Sequence, residues 1–263
     1  MGFWERTWEE RGDEIRRRFG ETDPPGLVIS FSWKDLRLPG ACALVFPPVS
    51  DASNPKGPWH RRPDWLYLTL GLTQPLDKKQ VQRERQAGKE YSSHGFELGF
   101  LTAAKNNWPI KALYVLVTAL TEGLDLKWGD RVALGLYEDA QGVGVYSGKL
   151  SALGLDAAQV RSVGNMRAVV IWPYLFPDVN FVTSTGKGMI FIATGITEDE
   201  WALAKATTTA QVLLLLFRAG VGQRTDPHRA SVLDDPRLNE EWKVIESMGG
   251  EAADNALGRE IAS

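Results

Sequence analysis

Three histidines, His60, His94 and His228, are the side chains of this 263-residue sequence best suited to proton transfer near neutral pH, and they fall in three separate parts of it. His94 comes closest to a chemical pair, because Glu97 follows it and a carboxylate beside an imidazole can serve as general acid and base. In a strand, however, residues three apart point to opposite faces. The alternation of Phe96, Leu98 and Phe100 is that of a strand, so His94 and Glu97 do not meet directly. His94 then reads as a strand-end residue bonded to a neighbouring loop. Glu97, set between Phe96 and Leu98, is buried in register, and a lone buried carboxylate is costly. It therefore requires partners such as an arginine or backbone amides.

Other chemistries find less support. Metal sites need ligands brought together at defined spacing, and the sequence holds no His-x-x-x-His pair and no cysteine cluster. The single cysteine, Cys42, lies in the apolar run Ala41 to Phe46, where a thiol packs as a small hydrophobe. With no second cysteine there is no internal disulfide, as expected of a reducing compartment. Thr185-Gly186-Lys187-Gly188 fails as a phosphate loop, which requires glycine where Phe181 stands and Ser or Thr where Gly188 stands. Gly142-Val-Gly144-Val-Tyr-Ser-Gly148 misses the dinucleotide spacing by one residue and reads as a hairpin turn. No Gly-x-Ser-x-Gly nucleophile elbow occurs. No catalytic residue, metal or cofactor is assigned.

The elements that would position a site alternate between strand and helix. Leu66, Leu68, Leu70 and Leu72 alternate with Tyr67, Thr69 and Gly71, the pattern of a strand with one face buried. Trp4, Trp8, Ile15 and Phe19 share one face of a helix that Gly20 ends ahead of Asp23-Pro24-Pro25-Gly26. Pro109 suits the first turn of a helix whose Ile110, Leu113, Tyr114, Val117 and Leu120 form a stripe ending near Gly123. Trp128-Gly129-Asp130 turns the chain into a strand from Arg131 to Tyr137, and Ala168 to Trp172 and Met189 to Thr194 are central strands. Thr197 and Glu200 form a capping box, and Thr209 to Arg218 is a helix apolar nearly all round. The sum is an α+β fold: a mixed, mainly antiparallel sheet with helices packed against it. Residues 1–20 are an amphipathic helix, 27–246 the main domain and 247–263 a polar tail. Gln74 to Ser93, charged and nearly free of large apolar residues, reads as a long surface loop.

Composition narrows the partners. The formal charge of -3 argues against a nucleic-acid binder, and the run Arg16-Arg17-Arg18 is offset by Glu9, Glu10, Asp13 and Glu14. The longest apolar run, Val212 to Phe217, is far short of the roughly 20 residues that span a bilayer. The opening Met1-Gly2-Phe3-Trp4-Glu5-Arg6 lacks the apolar core of a signal peptide. The expected location is cytoplasmic, with no nucleic-acid or membrane partner.

The stretch Trp65-Leu-Tyr-Leu-Thr-Leu-Gly-Leu-Thr73, then Ser92-Ser-His-Gly-Phe-Glu-Leu-Gly-Phe-Leu101, Asn106-Asn-Trp-Pro109 and Trp128-Gly-Asp130, resembles the core signature of the Suppressor of fused family. Leu27 to Trp33, Ala41 to Phe46, Lys187 to Glu200, Arg224-Thr225-Asp226 and Ser231 to Leu238 extend the resemblance from the first helix to about Glu246. Ser92-Ser93-His94 departs from the family's glycine-rich approach to this strand. The resemblance implies the single-domain bacterial form, with the fold of the amino-terminal domain of the animal protein. It also implies a non-catalytic binding module, because the animal protein sequesters a transcription factor by clamping an extended peptide as an added strand. Bacterial relatives are commonly inferred to be immunity proteins that neutralise a cognate toxin, or partners of otherwise uncharacterised proteins.

The expected function is to sequester or neutralise a protein partner, whether a cognate toxin or an extended peptide. The alternative is a hydrolase or transferase whose Asp, Glu and His converge only in three dimensions. Recognition is assigned to the Gln74 to Ser93 loop and the strand edges beside it. There Arg83, Arg85, Lys89 and Glu90 set partner choice and association rate, and Leu76 and Tyr91 anchor the contact.

Overall fold

A computed structural model describes residues 1–26, 28–31, 40–49, 63–139, 142–146, 161–162, 164–174 and 180–262. His60, and Leu27, Ser32 and Trp33 of the strand expected at Leu27 to Trp33, lie outside the described residues, and β1 falls within the described part of that strand. The chain begins with α1 (Phe3–Phe19), β1 (Ile29–Ser30), β2 (Cys42–Phe46), β3 (Trp65–Leu70), α2 (Lys78–Gln86), β4 (Tyr91–Thr102) and α3 (Trp108–Thr121). It continues with β5 (Arg131–Ala133), β6 (Gly135–Asp139), β7 (Gly142–Tyr146), β8 (Arg161–Ser162) and β9 (Ala168–Pro173). After β10 (Asn180–Thr183) and β11 (Gly186–Ile196) come α4 (Glu198–Ala206), α5 (Thr209–Arg218), α6 (Pro236–Glu246) and α7 (Gly250–Ala262). Contacts divide the chain into two compact units, Met1–Asp125 with Phe176–Ile192, and Leu126–Leu175 with Ala193–Ser263. These boundaries differ from the 1–20, 27–246 and 247–263 division read from the sequence.

In the first unit the strands run β1-β2-β3-β4-β11, with β10 also paired to β11. Every pairing among them is antiparallel except β4 with β11, which is parallel. The sheet is therefore mixed and mainly antiparallel, as expected. Leu66 lies opposite Phe46 and its neighbour Tyr67 lies opposite Phe100, so the two phenylalanines mark opposite faces. Phe19 of α1 packs on Phe46 at 5.6 Å between ring centroids, and Trp108 of α3 packs edge-on against Phe100 at 5.3 Å. A helix thus covers each face, and Leu66 through Leu70 are all buried. The alternation read as one buried face fails here because Tyr67 and Thr69 meet protein as well.

Helix α1 docks through the expected stripe. Trp4 and Trp8 stack at 5.2 Å, Ile15 and Phe19 are buried, and Gly20 closes the helix at φ 86° with its N–H on the Arg16 carbonyl, 2.8 Å. Its arginine run is paired locally: Arg16 with Asp13, and Arg17 and Arg18 with Glu14, whose carboxyl they hold below the usual carboxylate range.

The second unit is built on β9, paired with β5, and on the helix α5, whose residues Thr209 to Leu216 are all buried. The strand expected from Arg131 to Tyr137 is interrupted at Leu134, and β6 joins a separate sheet in the order β7-β6-β8. The glycine-rich segment, read from the sequence as a hairpin turn, is instead the strand β7 antiparallel to β6, with Ser147 and Gly148 outside the described residues. Gly135 lies opposite Tyr146 and Gly144 opposite Tyr137, and a Cβ on either glycine would enter the facing ring. At α4 the capping box is half formed: Glu200 accepts the Thr197 N–H at 2.9 Å, while the buried Thr197 hydroxyl has no partner. Glu200 instead spends its remaining capacity on Arg229 and on the Val232 N–H, 2.9 Å away. The polar tail is a helix, α7, with Ala253, Ala256 and Leu257 buried in the cluster around α5. Among the described residues no helix is long and apolar enough to cross a membrane.

Cys42 is 1% exposed and burial pushes its thiol well above the ordinary range. The native chain should therefore resist a thiol reagent such as Ellman's, and should release one equivalent of chromophore promptly on unfolding in guanidinium. Fast stoichiometric labelling of the folded chain would contradict this packing.

Candidate functional site

Glu97 is fully buried on β4 and is the acceptor for five donors. The amides of Gly71, Leu72 and Thr73 approach at 3.1, 3.2 and 3.0 Å, and the hydroxyls of Thr69 and Thr73 each at 2.7 Å. All five belong to the end of β3 and the turn after it. The β3–β4 ladder ends at Leu68 opposite Gly99, and beyond that point the Thr69 hydroxyl accepts the Leu98 N–H at 2.8 Å while donating to the carboxylate. Burial raises the Glu97 carboxyl above its ordinary value, and the bonds from Thr73, Thr69 and Gly71 pull it back down.

The positive counterpart is Arg11, fully buried under α1. Its Nε donates to Thr73 Oγ1 at 3.1 Å, so one hydroxyl joins guanidinium to carboxylate. Nη1 donates to the Thr7 carbonyl at 2.9 Å and to Gln74 Oε1 at 3.2 Å, and Nη2 donates to Ser92 Oγ at 3.2 Å and to Thr185 Oγ1. Desolvation pushes the guanidinium down to about 10 against the pull of Glu97, Glu10 and Glu84, which leaves it charged at neutral pH. The partners anticipated for Glu97 are present, with the arginine reached through Thr73.

His94 stands apart from this network. β4 pairs Tyr91 with Lys187 and Phe96 with Met189, so Ser92 to Gly95 bulge out against Gly188 alone. Ser93 at φ 55° and Gly95 at φ 84° bracket the bulge, which exposes His94 and ties its N–H to the Leu72 carbonyl at 3.1 Å. Glu97 is enclosed and His94 faces outward, so the acid–base pair does not form. Ser184-Thr185 is the β10–β11 turn, with Gly186 and Lys187 already in β11 opposite Thr183 and Val182, and His228 bonds Asp226 through its own N–H at 2.9 Å. Among the described residues no cluster of three or more His, Cys, Asp or Glu could hold a metal ion.

The segment from Gln74 to Ser93 is not a loop. Asp77 caps α2 by accepting the Gln80 N–H at 2.8 Å, and Val81 is the helix's single buried residue. Gln74, Pro75 and Ser92 at the two ends are buried as well. Of the assigned residues, Leu76 is 53% exposed ahead of the helix, Arg83 and Arg85 are exposed in its last turn, and Lys89 is exposed beyond it. Glu90 pairs with Lys187, and half-buried Tyr91 opens β4. The residues share one region without converging on a point. Arg85 alone lines a groove of about 500 Å³, together with Phe3, Lys78, Val81, Gln82, Gln86, Ser184 and Thr185, and it donates to the Ser184 carbonyl at 2.8 Å.

This α+β chain has counterparts among known proteins. Residues 51–230 match the Suppressor of fused protein (SUFU) family, and the chain belongs to that family. Among solved structures it is similar to a chain of the Sufu–Fu complex, at 17% identity and TM-score 0.56, with 94% of this chain and 97% of that one covered. Suppressor of Fused from Drosophila follows at 18% identity and TM-score 0.53, with 80% of this chain and 47% of that one covered. A SUFU homolog from Neisseria gonorrhoeae FA 1090 gives 15% identity and TM-score 0.52, covering 87% and 97%. At these identities the likeness is one of fold. The search of the curated proteins found no match.

Every contact to Glu97 is a donor, so Glu97→Gln turns an amide NH2 toward groups that also donate. The substitution should cost roughly 2 to 4 kcal/mol in denaturant unfolding of the chain. A loss of under about 1 kcal/mol would show that the carboxylate is not the organising acceptor.

Proposed function

We propose that the chain is a non-enzymatic protein-binding module that sequesters or neutralises a protein partner through the surface around α2. Family membership supports the class, since a solved relative of this fold is described in a complex with Fu. The observation that carries the surface is the exposure of Leu76, Arg83, Arg85 and Lys89 in one segment, with Glu90 and Tyr91 at its end. Exposed cations set association rate and partner choice, and an exposed leucine gives an apolar contact to bury. The partner in this reading is a cognate toxin, held inactive, or an extended peptide of another protein. The hydrolase or transferase alternative has lost its best pair, since His94 and Glu97 point apart.

Capture from the native host tests the surface. The wild-type chain should retain a protein partner, and the R83E/R85E/K89E variant should hold it about tenfold or more weakly while melting at the same temperature. Full retention by the folded variant would move the site elsewhere. Co-expression with the product of the adjacent reading frame tests the immunity role: the chain should relieve growth inhibition by that product, and unrelieved or absent toxicity would exclude it.

A further inference from the structure

The charges of α2 are arranged unlike those of the rest of the described chain. Its nine residues carry four cations, Lys78, Lys79, Arg83 and Arg85, and one acid, Glu84, in a protein of net charge -3. Glu84 faces the other way, accepting Gln80 Nε2 at 2.9 Å and the Ser93 N–H at 3.4 Å. Among the described residues no carboxylate lies within ion-pair distance of any of the four. Cations elsewhere commonly have one, as in the pairs Arg16–Asp13, Lys105–Asp23, Lys187–Glu90, Arg218–Glu260, Arg237–Asp235 and Lys243–Glu240. Lys78 and Lys79 also occupy the first helical turn, where the helix dipole disfavours positive charge, and no acid shares that turn. The fold gains nothing evident from this placement.

The groove explains which of these cations matter. Lys78, Val81, Gln82, Arg85 and Gln86 recur at helical spacing and line it, whereas Lys79 and Arg83 lie off that face. Phe3 and Val81 give it an apolar floor, with the Lys78 ammonium 6.0 Å from the Phe3 ring centroid. The Arg85 contact to the Ser184 carbonyl orients the guanidinium without neutralising it. A volume of about 500 Å³ accommodates a few side chains of a bound segment.

We infer that this groove takes an acidic segment of the protein partner, with an aliphatic or aromatic side chain on Phe3 and Val81 and carboxylates at Lys78 and Arg85. The inference rests on the binding reading above and specifies the chemistry of the partner. Charge complementarity favours acid here, since unpaired cations flank an apolar floor that a strongly hydrated polyanion would leave empty.

The probe is a random, unphosphorylated peptide library displayed on phage and selected on the immobilised full chain. Enriched peptides should combine Asp or Glu with Leu, Ile or Phe, and should bind more weakly as salt is raised. The K78E/R85E variant should lose about tenfold or more in affinity for them, and K79E/R83E far less. Enrichment without acidic bias, equal binding to K78E/R85E, or equal loss in K79E/R83E would each overturn the inference. So would a single-stranded oligonucleotide that displaces the peptides and binds more tightly. A host protein captured equally by wild type and K78E/R85E would remove the groove assignment alone. Failure to retain any peptide or any host protein would remove the binding reading with it.

Discussion

A buried carboxylate with nothing but donors around it constrains its surroundings more tightly than any apolar contact in the first unit. Glu97 fixes the backbone from Thr69 to Thr73 because each of three consecutive amides must point at it. The chain leaving β3 therefore has one available path. Thr73 then passes the constraint on, since the hydroxyl that donates to Glu97 must accept from Arg11. Two charges have left water here, a cost of several kcal/mol per ion that only a complete set of hydrogen bonds offsets. The set is complete in the sense that Thr7, Gln74, Ser92 and Thr185 accept the remaining guanidinium donors. The outcome is that α1, the β3 turn, the start of β4 and the β10–β11 turn are pinned around one buried point.

That point lies directly behind the surface assigned to recognition. Thr185 holds Arg11 with its hydroxyl and also lines the α2 groove, and Gln74 bonds Arg11 just before the chain enters α2. Phe3 on α1 forms part of the same groove. A binding surface whose walls are tied to a satisfied, buried network loses little conformational entropy when it engages a partner. The exposed cations and Leu76 can then vary with the partner while the scaffold beneath them stays fixed.

Much of this architecture was legible in the residue pattern, and the exceptions share a cause. The aromatic stripe of α1 and its end at Gly20, the enclosed α5 and the need of Glu97 for an arginine or amides all follow from periodicity, capping and the cost of burying charge. Helix α2 was missed because its only buried side chain is Val81, so there was no apolar period to read. The signals that could have found it are Asp77 as an N-cap and the run of good helix formers behind it, broken only by Val81. Arg11 could not be singled out among the many charges of α1, because its burial depends on where Thr73, Ser92 and Thr185 arrive from distant parts of the chain. The second buried face of β3 is likewise a tertiary fact, supplied by α3. In α7 a few small apolar residues meet α5 and suffice to dock a helix that composition alone describes as polar.

The dependence of the first unit on this one network can be read by native-state hydrogen exchange. The amides of Gly71, Leu72 and Thr73 and those in the middle of α1 should exchange at a common free energy, that of unfolding the unit as a whole, with R11A lowering all of them together. Exchange of α1 at a clearly lower free energy than the Glu97 shell, with the shell unmoved by R11A, would show that the helix is a separate appendage and that the network does not organise the surface above it.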